Sequence, residues 1–176
     1  MTSKLLRKIH IYLSLICFSF LFFFCFTGIT LNHPKLFSGD IVSVQENISV
    51  ADNTPSTIQS TLALEGIELS QTQLSQLLET GELEMASPGR RSDLYYDESM
   101  HNIELMNTDY GFIVMLNELH QNRHTPEIWT FISDAVAGII MLIGISGIWL
   151  SLKQKRQRKL YLYLLTSSVS ALILLV

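Results

Sequence analysis

The chain has 176 residues, of which 48% are hydrophobic, and a formal charge of −4 at pH 7. Those totals suit one globular domain, but the distribution excludes it, because three apolar runs would need far more polar chain to wrap them in water. The basic residues flank these runs, a placement that reports membrane orientation and speaks against nucleic acid as a partner.

Residues 1–10 carry Lys4, Arg7 and Lys8 without an acid. Residues 11–31 carry no charge and include Phe18, Phe20, Phe22, Phe23, Phe24 and Phe26. As a helix this run covers about 30 Å, the thickness of a bilayer core. The basic start also suits a signal peptide. However, the run is too long for one and ends without a small-x-small cleavage site, and no lipobox precedes Cys17 or Cys25, so an uncleaved anchor is expected. The two cysteines, about 12 Å apart on one helix, cannot pair with each other.

Leu31-Asn32-His33-Pro34 ends the first span. Residues 32–127 then form one soluble domain. Residues 35–53 read as a strand (Ile41, Val42 and Val44 apolar) followed by a polar linker. Thr54-Pro55 opens a helix that Gly66 closes. Ser70-Gln71-Thr72-Gln73 resembles a capping box, with Leu74, Leu77 and Leu78 as the apolar stripe and Gly81 as the stop. The period then shortens through Leu83 and Met85, a turn at Pro88-Gly89, and strands around Leu94-Tyr95-Tyr96 and Ile103-Glu104-Leu105. A turn at Asp109-Tyr110-Gly111 leads into Phe112–Leu116, which also reads as a strand. The expected domain is therefore one or two short helices followed by a meander of about four strands. Its core is thin, so it leans on the membrane helices or on a partner.

Residues 128–152 form the second apolar run, broken only by Asp134, and residues 160–176 form the third. Between them lies the loop of residues 153–159, with five Lys/Arg and no acid. Residues 32–127 hold four Lys/Arg (Lys35, Arg90, Arg91, Arg123) against fifteen Asp/Glu, a net of −11. The positive-inside rule then expects a bacterial inner-membrane protein with its N-terminus and basic loop cytoplasmic. Residues 32–127 and the C-terminus would be periplasmic. Small residues in the second span (Ala135, Ala137, Gly138, Gly144, Ser146, Gly147), with Gly147 and Ser151 four apart, predict close helix packing. The candidates are Thr27-Gly28 of the first span, a second copy of the chain or another protein.

One motif occurs twice. Thr27-Gly28-Ile29-Thr30-Leu31 ends the first span and Ser146-Gly147-Ile148-Trp149-Leu150 ends the second. A basic histidine segment precedes each: Arg7-Lys8-Ile9-His10, and Leu119-His120-Gln121-Asn122-Arg123. Antiparallel helices carrying these copies would place them on opposite faces of the membrane, a pattern similar to an inverted repeat, although two matches this short also arise by chance.

Arg7-x-x-His10 with Thr27-Gly28-x-x-Leu31 resembles the first helix of the PepSY-associated transmembrane family. Leu116-Asn117-x-Leu119-His120-x-x-Arg123, Trp129, Asp134 and Ser146–Leu150 are similar to its second helix and lead-in. The chain most resembles the short branch with a single PepSY-like domain. The fold this implies is a membrane α-helical protein of three transmembrane helices, with a small α+β PepSY-like domain between helices 1 and 2. Larger relatives resemble ferric-siderophore reductases holding b-type haem between transmembrane histidines, and PepSY domains elsewhere are associated with inhibiting or regulating peptidases. The resemblance implies an accessory or haem-linked electron-transfer subunit in iron and siderophore metabolism. The alternative is a non-catalytic, membrane-anchored module whose domain docks a protein partner.

For haem, His33 with His120 or His124 form the candidate axial pair, both sides lying near the outer ends of their spans. His10 stands 23 positions before His33, about 35 Å along a helix, and could ligate only across a dimer. Asp134 lies about two turns into its span, where an unpaired carboxylate is costly, with Arg123 or a ligand histidine as its expected partner. His101 falls in the strand region, with a structural or surface role. No catalytic constellation or cysteine-based metal motif is present.

Overall fold

The computed structural model describes residues 3–37 and 39–175, and the chain divides into two compact units. One combines the chain up to Cys25 with that from Glu127 onward, and the other is Phe26–Pro126. The first helix, α1, spans Ser3–Asn32.

In Phe26–Pro126, the elements after α1 are β1 (Val42–Ser49), α2 (Pro55–Leu64), α3 (Gln71–Thr80), β2 (Glu82–Ser87), β3 (Arg90–Asp97), β4 (Asn102–Asp109) and α4 (Phe112–His120). The strands form one antiparallel sheet in the order β1-β4-β3-β2. The helix signals act as the sequence predicts. Pro55 stands in the first turn of α2, Ser70 and Gln73 close a reciprocal capping box, and Gly81 ends α3 at φ 74°. Thr54 departs in one respect: it makes no side-chain cap, and its hydroxyl donates to Asp52 instead.

Alternation along the strands puts Ile48, Leu83, Leu94, Ile103 and Leu105 on one face, where they meet Ile58, Leu62, Leu74 and Leu77 of α2 and α3 in the core. Leu77, Leu94 and Ile103 are fully buried. Truncating any of them to alanine removes apolar contacts and leaves a cavity, at a cost of about 2–5 kcal/mol.

Two expectations are corrected. The sheet has four strands, but β1 precedes the helices, so only three form the meander. Phe112–Leu116 is no strand; it begins α4. Its β-branched run gives a misleading period, and the local chemistry decides for helix. Gly111, at φ 86°, forms the N-cap, and Met115 N–H donates to its carbonyl at 3.1 Å. α4 also fills space beside the β2–β3 turn. A Cβ on Gly89 would stand 2.7 Å from that of Met115, and Gly89 N–H donates to Glu118 Oε2 at 2.6 Å.

The other unit holds α5 (Glu127–Leu152) and α6 (Arg158–Leu175) beside the greater part of α1. α1 and α5 are long and apolar enough to cross a membrane, and only 6% of each apolar window is buried, which excludes core helices of a soluble protein. Leu15, Ile16, Phe18, Phe22, Phe131 and Ile145 are each more than 60% exposed, an apolar surface suited to lipid. α6 has 18 residues and begins on Arg158 and Lys159; the helices that qualify as spans are α1 and α5.

Asp109 ties β4 to α4. It accepts from Gly111 N–H at 2.8 Å and from Arg90 Nε at 3.1 Å, and these bonds, the first above all, hold its carboxyl below the ordinary value of 3.8. Asp97 is lowered too, chiefly by the Ser99 hydroxyl. A depressed folded-state pKa contributes stability above the unfolded value and loses it as pH falls through the folded one. The thermal midpoint in detergent should therefore be flat from neutral pH to about 5 and fall below about 4. Asp109→Asn should start lower and fall less steeply.

Candidate functional site

The repeated motif forms two contacts of one chemical kind, one in each unit. In the membrane-helix unit, His10 Nδ1 lies 2.7 Å from Ser146 Oγ, and the Ser146 hydroxyl donates to the Ile143 carbonyl at 2.8 Å. A hydroxyl has one proton; with the Ser146 proton on the Ile143 carbonyl, the donor to Ser146 Oγ is His10 Nδ1–H, the tautomer that this arrangement requires. The imidazole rests on Gly147, where an added Cβ would lie 3.3 Å from His10 Cε1. Gly147 thus packs at the start of α1. The helices run antiparallel, which brings the end of α5 to the beginning of α1. Phe23 meets Trp129 edge-on at 6.2 Å further along the same pair.

In the other unit the histidine is on α4 and the hydroxyl on the last turns of α1. Thr27 Oγ1 lies 2.5 Å from His120 Nδ1, and the single proton of Thr30 Oγ1 is shared between two acceptors, Asn117 Oδ1 at 2.5 Å and the Thr27 carbonyl at 2.9 Å. Each partner pair is spaced by three residues, one helical turn, so the contacts form a two-rung ladder. Thr27 and Thr30 are fully buried, and a buried hydroxyl without a partner costs about 1–3 kcal/mol. Asn117 and His120 figure in the sequence motif, but their pairing with Thr30 and Thr27 went unpredicted. The three-residue spacing of Asn117 and His120 was the signal that could have found it.

The remaining candidates are placed differently. His33 follows α1 directly, exposed, its N–H donating to the Thr30 carbonyl at 3.2 Å. His124 is exposed at φ 54°, and His101, at φ 50°, occupies the β3–β4 turn. Asp134 is exposed on α5. No cluster of three or more His, Cys, Asp or Glu suited to a metal ion occurs among the described residues.

The soluble unit carries a second feature. α2 and α3 cover one half of the inner sheet face and leave the other half open. There, rows across β1, β4 and β3 place Val42 beside Asp109 and Arg90, and Val44 beside Asn107 and Ser92. These residues line a cavity of about 350 Å³. Val42 and Val44 are 57% and 49% exposed, and among the described residues β1 pairs with a neighbour on one side alone. Arg90 and Arg91, half of the four cations in residues 32–127, stand at this cavity.

Exposed apolar helices, paired histidine–hydroxyl contacts and a small helix-and-sheet unit define a membrane protein with an appended α+β domain. The comparison with known families agrees: the PepSY_TM-like family model matches residues 1–176, and the chain belongs to that family. Neither a curated protein nor a solved structure matches it.

If the rungs hold the helices, Thr30→Val should destabilise the detergent-purified protein by about 1–3 kcal/mol by stranding Asn117. Thr30→Val/Asn117→Leu should recover part of that in thermal melts. Gly147→Leu should be more damaging than Gly144→Leu, since nothing lies within 4 Å of a Cβ at Gly144.

Proposed function

We propose that this PepSY_TM-like chain is a membrane-anchored binding module whose soluble domain docks an extended segment of a protein partner. The observation that carries this reading is the open half-face of the sheet beside the free edge of β1. A free edge offers backbone hydrogen bonds to an added strand, and an adjoining cavity offers side-chain specificity. Val42 and Val44 would receive apolar side chains of the partner, while Arg90 and Arg91 would favour an acidic one.

In this reading three spans anchor the module in the bacterial inner membrane. Three Lys/Arg before the first span and five in the loop 153–159, against the net −11 of residues 32–127, support a cytoplasmic N-terminus and a periplasmic domain. α6, at 18 residues, has a length of about 27 Å, short but compatible with crossing.

Haem-linked electron transfer in iron metabolism has less support. It needs two imidazole nitrogens facing one iron. Hydrogen bonds at Nδ1 of His10 and His120 are compatible with ligation through Nε2, so the weight against this reading lies with His33 and His124, which are exposed on loops. The cavity at the open sheet face is lined without a histidine.

Two experiments test the proposal. A photo-crosslinking residue at Val44 should give an adduct of one discrete mass in cells, and one at Gln71 on α3 should not; equal labelling at both would contradict docking at β1. Protein purified from haem-supplemented cells should show no b-type α-band in a reduced-minus-oxidised spectrum. A band abolished by both His33→Ala and His120→Ala would overturn the binding-module reading in favour of electron transfer.

A further inference from the structure

Residues 135–176 contain no acid, yet Lys153, Lys155 and Arg156 fall within the short turn joining α5 to α6, and Arg158 and Lys159 open α6. All five are exposed, and none has a carboxylate in salt-bridge range among the described residues. Lys153 alone has a favourable neighbour, its Nζ lying 5.3 Å from the centre of the Trp149 ring. Like charges this close repel one another, and an anion from outside the chain would relieve that repulsion.

Directly beside the turn, α5 and α6 line an open groove of about 290 Å³. Ile148, Leu152, Leu164 and Leu165 form its apolar walls, with Tyr161 and Ser168 contributing polar edges. The volume is at the small end of ligand pockets. It accommodates part of a hydrocarbon chain and does not enclose a larger polar molecule. An apolar slot opening next to uncompensated cations matches a ligand with a hydrocarbon tail and an anionic head.

We propose that the α5–α6 hairpin binds an anionic phospholipid, with an acyl segment in the groove and the headgroup phosphate against Lys155, Arg156 and Arg158. A soluble anion would satisfy the charges and leave the apolar slot without a purpose. A zwitterionic lipid would fill the slot and leave the charges. The anionic phospholipid answers both, and basic pockets between membrane helices recognise such headgroups in general.

The test uses the full-length chain with Trp129→Phe, so that Trp149, one turn before the basic run, is the single tryptophan. The protein is reconstituted in phosphatidylcholine vesicles containing the same mole fraction of either brominated phosphatidylglycerol or brominated phosphatidylcholine. Bromine quenches tryptophan only at close range. Brominated phosphatidylglycerol should quench Trp149 about five-fold more strongly than brominated phosphatidylcholine. Lys155→Gln/Arg156→Gln/Arg158→Gln should bring that ratio close to one. Ser168→Phe, which fills the groove and leaves every charge in place, should also lower it. Equal quenching by the two lipids would overturn the proposal. A preference unchanged by Ser168→Phe would overturn it too, by showing diffuse attraction without a site, and so would complete relief of quenching by inorganic phosphate.

Discussion

A hydroxyl carried on an apolar helix has to be hydrogen-bonded, because lipid and a dry helix interface offer no water. Several of the hydroxyls on α1 and α5 solve this locally: Ser14 donates to the His10 carbonyl and Ser151 to that of Gly147. Ser146, Thr27 and Thr30 go further and meet side chains distant in sequence, His10, His120 and Asn117. Those three contacts fix which residues of α1 face α5 and which face α4. Gly147 is small because the His10 ring lies against it.

The same contacts change what the histidines mean. An intramembrane or interfacial histidine invites a reading as a cofactor ligand, and the resemblance to haem-bearing relatives encourages it. Here the two motif histidines are held through Nδ1 by hydroxyl groups of the apolar helices. Attention therefore moves to the soluble unit, whose covered half-sheet is a closed core and whose open half presents Val42, Val44 and Arg90.

Much of this was legible in the sequence, for identifiable reasons. The long apolar runs of α1 and α5, the Ser70–Gln73 capping box and the Gly81 stop are local signals, and each acts where it stands. The doubled histidine and Gly motif was legible as a pattern, but its geometry was not. Spacing alone cannot say that Gly147 meets His10, because that depends on the antiparallel placement of two helices more than a hundred residues apart. Phe112–Leu116 fails differently. Its β-branched and aromatic residues favour a strand, and the outcome is set by Gly111, Asp109 and the packing of Met115 on Gly89. The open sheet face was invisible for a third reason: it is defined by where α2 and α3 stop covering the sheet.

The central claim is that the motif histidines are held by helix hydroxyls. Nitrogen-15 solid-state NMR of histidine-labelled protein in lipid tests it most directly. The account predicts that His10 carries its proton on Nδ1, hydrogen-bonded, and that Ser146→Ala shifts this resonance while leaving His101 unmoved. A His10 ring unprotonated at Nδ1, or a resonance indifferent to Ser146→Ala, would contradict it.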